Sequence, residues 1–111
     1  MGAVVGRKHQ KINGAFVPIM KDMIKSPAFL QLTNASRISY ILLKSQCRKF
    51  DQFEVKFPYS EAEQYMHRHT FADSIKQLED LGFIERSSFG GLYRRTNVYK
   101  FIEAWRKRKD Q

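Results

Sequence analysis

Apolar and polar positions alternate along this chain in two distinct rhythms. Phe71, Ile75, Leu78 and Gly82 recur at helical spacing. That spacing predicts a helix over about residues 68–81, with His69, Asp73, Lys76 and Asp80 on its opposite face. Just ahead, Ser60 followed by Glu63 reads as a capping box, which predicts a short helix over roughly residues 61–65. Tyr59 would act as the hydrophobic staple before that cap. Gly82 stands where a left-handed helix cap belongs. The rhythm then shifts to a period of two. Residues 83–87 predict a strand, Phe89-Gly90-Gly91 a turn, and residues 92–101 a returning strand.

The first half carries the same two signals. Residues 14–19 predict a short extended segment that Pro18 confines to an edge. Met20, Met23 and Ile24 are expected to face inward from a helical turn over residues 20–25. Ser26-Pro27 closes that piece and opens the next, because proline fits the first turn of a helix. Thr33 or Asn34 is expected to cap a helix over about residues 35–47 whose inner stripe is Ala35, Ile38, Ile41, Leu42 and Ser45. Phe53, Val55 and Phe57 alternate with Glu54 and Lys56, which predicts a third strand with the three apolar residues inward. A short helix over residues 103–109 would pack Trp105 back onto the domain. The fold class expected from these elements is α+β.

The stretch from Ser60 to Phe101 resembles the winged helix-turn-helix DNA-binding domains of small bacterial, phage and plasmid regulators and replication-initiator proteins. The resemblance rests on His69-Thr70-Phe71, Ser74-Ile75-Lys76-Gln77-Leu78, Gly82-Phe83-Ile84, Gly90-Gly91 and Asn97-Val98-Tyr99. It implies a three-helix core with a small antiparallel sheet and a wing hairpin. It also implies a binding domain without catalytic activity, acting in transcription regulation or DNA replication. One departure concerns the turn between the two helices. Gln64-Tyr65-Met66 stands where family members usually carry Leu-Gly-Ile, so the usual left-handed residue is missing.

Composition narrows the partner. With 111 residues, 42% of them hydrophobic, the chain suits one folded domain. The expected division is a basic arm at 1–13, the domain at 14–105 and a basic tail at 106–111. A net charge of +9 favours a polyanion, of which nucleic acid is the commonest. No apolar run reaches the roughly 18 residues that span a bilayer, so no membrane partner is expected. The single Cys47 permits no internal disulfide, which suits a cytoplasmic location; the resemblance to DNA-binding domains makes that location nucleoid-associated. Cys47 itself reads as a small core residue.

Catalytic machinery is missing from the pattern. There is no phosphate-binding glycine loop with its Lys-Ser/Thr signature. His67 and His69, two apart, would diverge by roughly 200° on a helix and could not chelate from one face. Neither has Cys or carboxylate partners at ligand spacing, so no metal and no cofactor are expected.

The DNA reading has a mechanism. A helix-turn-helix lays the start of its second helix in the major groove. Arg68, His69, Thr70, Ala72, Asp73 and Lys76 occupy that part of the predicted helix. Arg pairs with guanine, Asp accepts from cytosine, and Ala touches a thymine methyl. The plainer reading is a solvated helix face, which Asp73 and Asp80 favour because carboxylates repel phosphates. In the hairpin, Arg86, Arg94 and Arg95 flank Gly90 and Gly91, whose lack of side chains lets phosphates approach. Arg7, Lys8, His9 and Lys11 form a further basic arm. Double-stranded DNA is thus the expected partner. The rival is a winged helix that holds a protein partner or a second copy of the chain, and RNA is a third ligand class.

Overall fold

The structure, a computed structural model, describes residues 14–49, 51–88 and 97–107. Within them lie five α-helices, a three-stranded antiparallel sheet and a closing 3-10 turn. The helices are α1 (Lys21–Ile24), α2 (Pro27–Leu30), α3 (Asn34–Lys44), α4 (Tyr59–Ala62) and α5 (Arg68–Asp80). The strands are β1 (Glu54–Lys56), β2 (Ile84–Ser88) and β3 (Val98–Phe101), and the 3-10 turn is Ala104–Lys107. The fold is therefore α+β. The expected arm at 1–13, residues 89–96 of the expected hairpin and residues 108–111 of the tail expected at 106–111 lie outside the described residues.

α5 follows its sequence pattern closely. Phe71, Ser74, Ile75 and Leu78 are buried, and His69, Asp73, Lys76 and Asp80 are exposed. Its end is a complete Schellman motif: Phe83 N donates to Leu78 O and Gly82 N to Glu79 O, with Gly82 at φ +88°.

α3 does not follow its pattern. The expected inner stripe is turned outward: Ile38 is 46% and Ile41 42% exposed, Ser45 is exposed, and Ala35 and Leu42 are half-buried. The buried face is Ser36, Ser39, Tyr40 and Leu43. The cause is the approach of α3 to α5. Serines let the two helices come close, and each buried hydroxyl finds an acceptor there. Ser36 Oγ donates to Gln77 Oε1, and Ser39 Oγ meets Met66 Sδ at 3.5 Å. Thr33 caps α3 by accepting from Ser36 N. The helix stops at Lys44, short of Cys47, because Gln52 Oε1 accepts from Arg48 N and Lys49 N and bends the chain away.

The predicted capping box is absent. Pro58 precedes α4 and Ser60 lies within it, because Tyr59 joins the first turn to set its ring edge-on against Phe71 at 5.2 Å. Glu63 turns instead to Arg68. The glycine-free turn after α4 is built by Ala62 O, which accepts from both Tyr65 N and Met66 N. In α1 only Met23 is buried, while Met20 and Ile24 are exposed, because a helix of four residues presents one inward position. Ser26 caps α2 as its place before Pro27 predicts, accepting from Phe29 N.

β3 is central, in the order β1-β3-β2. Val55 and Arg86 both lie opposite Tyr99, and Ile84 lies opposite Phe101. These residues form the helix-facing side, over which Phe83 stacks with the indole of Trp105 at 6.1 Å. Phe53 is not inward as its alternation predicts; it is 59% exposed. β1 begins only at Glu54, and the inner slot beside it is taken by Tyr40 and Phe101, whose rings meet at 5.5 Å.

Candidate nucleic-acid interface

The outer face of α5 is a polar ridge standing on a dry base. Phe71, Ile75 and Leu78 are fully buried, which fixes the helix axis and leaves His69, Asp73 and Lys76 pointing to solvent. Thr70 flanks the ridge on the α3 side, and its carbonyl accepts from Ser74 Oγ at 2.8 Å. Ala72 flanks it on the other side, half-buried. Arg68 opens the helix, exposed and 3.6 Å from Glu63. Both partners are solvated, so the pair holds Arg68 weakly and releases it at little cost.

His67 does not stand out in the sequence pattern as a binding residue, yet it has a defined role. It is the N-cap of α5, and its Nδ1 accepts from His69 N at 3.1 Å. Its backbone is extended, so the helical divergence expected for His67 and His69 does not apply. Their rings stack at 5.1 Å with an interplanar angle of 20°.

Gln77 is the second residue whose role the pattern hides. Its Oε1 accepts from Thr33 N at 3.0 Å and from Ser36 Oγ, and its Nε2 donates to Gln31 O at 3.3 Å. One side chain of α5 thereby fixes the start of α3 and the end of α2. These hydrogen bonds wall a cleft of about 340 Å³ that also touches Thr70 and Asp73. Gln77→Ala leaves the fully buried Ser36 hydroxyl without its strongest acceptor. The expected loss is about 1–3 kcal/mol in chemical denaturation. An unchanged midpoint would show that water replaces the amide.

Arg86 lies apart from the ridge. Register places it on the helix-facing side of the sheet, where its Nη2 and Nε reach Glu79 at 3.1 and 3.4 Å. Burial works against its charge, but the hydrogen bond and the charge of Glu79 outweigh it, so its pKa is raised. The pair ties α5 to β2 and so orients the hairpin relative to the ridge. Gly90, Gly91, Arg94 and Arg95 lie outside the described residues.

Other titrating groups are shaped by burial. Burial pushes the Tyr99 phenol up to about 12, against a hydrogen bond from Asn97 that lowers it. Burial also raises Cys47, keeping it a thiol; it is half-buried, with Sγ 3.7 Å from Gln52 O. Among the described residues no group of three or more His, Cys, Asp or Glu side chains could hold a metal ion. No described helix is long and apolar enough to cross a membrane. Comparison of the chain with protein-family models, curated proteins and solved structures found no match.

Proposed function

We propose that the chain is a winged helix-turn-helix module that binds double-stranded DNA without catalysis, as a transcription regulator or a replication-initiator-like protein in the cytoplasm. The observation that carries this reading is α5. Its inner face is sealed in the core, while Arg68, His69, Thr70, Asp73 and Lys76 stand exposed at its start and outer side, on a chain of net charge +9. The order α3-β1-α4-α5-β2-β3, with β3 central, supports it, since that arrangement leaves the outer face of α5 uncovered. In this reading Arg68 swings from Glu63 to the DNA, Asp73 and Lys76 meet base edges, and Arg86 orients the hairpin.

The test is a competition between selected and random duplexes. Replacing Arg68, His69 and Lys76 together by Ala should flatten the preference, at about 1–3 kcal/mol for each good pairing with a base edge that is removed. The fold should hold, because all three side chains are exposed. Preference that survives in the folded variant would remove α5 as the reader.

The hairpin arginines act differently in this proposal. Arg94→Ala with Arg95→Ala should weaken all duplexes alike. The slope of log affinity against log salt should fall by about one for each phosphate no longer neutralised. An unchanged slope in an anisotropy titration would assign phosphate binding to the arm around Arg7 and Lys8 or to the tail.

A second reading is a winged helix used to hold a protein. The exposed Leu30, Ile38 and Ile41 favour it. Binding to duplex DNA that is indifferent to salt would support that alternative, because neutralising phosphates releases counterions.

A further inference from the structure

The extended residues ahead of α1 lie against the C-terminal end of α3. Between them is a groove of about 260 Å³ bordered by Phe16, Pro18, Lys44, Cys47, Arg48 and Lys49. With Ala15, the apolar side makes up more than half of that border, and Phe16 is 60% exposed. The rest is cationic, and among the described residues no carboxylate forms a salt bridge with Lys44, Arg48 or Lys49. Lys44 also borders the adjoining depression, where its Nζ stands 4.6 Å over the Phe101 ring beside the exposed Phe53 and Met20. The α3 dipole accounts for cations at a helix C-terminus. It does not account for Phe16, Met20 and Phe53 left uncovered next to them, and large apolar groups gathered at a surface mark a binding site.

The adjoining depression lies at the end of the sheet away from the hairpin tip, whereas Arg48 of the groove also borders a hollow with Lys56 and Val98 at the other end. Ile84, Phe101 and Phe53 lie at one end of the sheet. The opposite end, at Ser88, Val98 and Lys56, leads to the hairpin tip and, through α4, to the start of α5.

We infer that the groove docks an acidic segment of a partner protein. The segment sets an aromatic or aliphatic side chain against Phe16 and its carboxylates against Lys44, Arg48 and Lys49. Nucleic acid fits less well. A bound strand needs a continuous cationic track, and Asp51 and Glu103 interrupt one in the adjoining depression. A peptide can turn its apolar side chains to that stretch.

The experiment is selection from random displayed peptides on the full chain, followed by anisotropy titration of the enriched sequences as fluorescein-labelled peptides. Enriched peptides should carry Asp or Glu around Leu, Phe or Trp. Phe16→Ser, and Arg48→Glu combined with Lys49→Glu, should each weaken them about tenfold or more. These side chains are exposed, so an unchanged denaturation midpoint is expected to show that both variants fold. The proposal falls if nothing is enriched, if the enriched peptides lack acidic residues, or if folded variants bind them as the parent does. It falls equally if Phe16→Ser weakens a duplex as much as the peptide, which would make the groove a nucleic-acid surface. Self-association of the parent that Phe16→Ser abolishes in sedimentation would also overturn it, with a second copy as the occupant.

Discussion

Phe71→Ala is expected to lower the stability of the domain by about 3–5 kcal/mol, the range for truncating a buried aromatic ring. Phe71 is fully buried and joins three elements at once. Its ring lies 5.6 Å from Phe57 at the end of β1 and 5.2 Å from Tyr59 of α4, and it belongs to the first turn of α5. Its loss opens a cavity where the sheet, the short helix and the polar ridge meet. A small domain has about 5–15 kcal/mol of stability in total, so the variant should be partly unfolded when warm. The midpoint of urea unfolding measures the effect. Phe71→Leu keeps most of the volume and should cost far less. A Phe71→Ala midpoint equal to the parent's would mean that the ring does not join these elements. If the chain binds duplex DNA as proposed, the same variant should lose that binding in proportion to its unfolded fraction, and a folded sample in the cold should regain it.

How far the sequence announces this structure differs from helix to helix, and α3 and α5 show why. α5 is apolar on one side only, so its periodicity has a single solution. α3 offers two. Ala35, Ile38, Ile41 and Leu42 form a more hydrophobic stripe than Ser36, Ser39, Tyr40 and Leu43, yet the second one is buried. Two serines take core positions because small side chains permit close packing and Gln77 and Met66 meet their hydroxyls. Both partners lie far along the chain, so no local pattern contains them. Ser60 misleads for a related reason: the capping box is a local signal, and the packing of Tyr59 on Phe71 overrides it. The exposed members of the candidate site are legible, because a polar side opposite an apolar stripe can only face outward. Their supports are not. His67 acts through a backbone amide and Arg86 through a sheet register, and neither follows from residue spacing.

Gly82→Ala is the second large effect, and two independent costs produce it. At φ +88° an L-residue with a side chain is strained, at about 1–2 kcal/mol. The added Cβ would also sit 2.8 Å from Trp105 N and 2.9 Å from Ala104 C, atoms of a backbone that cannot rotate away. That backbone is tied to the site itself, since Trp105 N donates to Gly82 O at 3.1 Å and Ile102 N to Phe83 O at 3.1 Å. Relief requires moving the 3-10 turn or opening the Schellman motif, and overpacking of this kind costs about 1–3 kcal/mol. The expected loss is therefore about 2–5 kcal/mol. A second readout separates displacement from simple destabilisation. Trp105 is the only tryptophan, and its indole stacks on Phe83. If the 3-10 turn is pushed off, the emission of the folded protein shifts before any denaturant is added. If the motif opens instead, native emission stays and only the midpoint falls. Parental values for both would show that residues 104–105 do not close over Gly82. Because Gly82 joins α5 to β2, the angle between the polar ridge and the hairpin also depends on it. If the ridge and hairpin bind duplex DNA together as proposed, a folded Gly82→Ala protein should then bind it more weakly while keeping every side chain of the ridge.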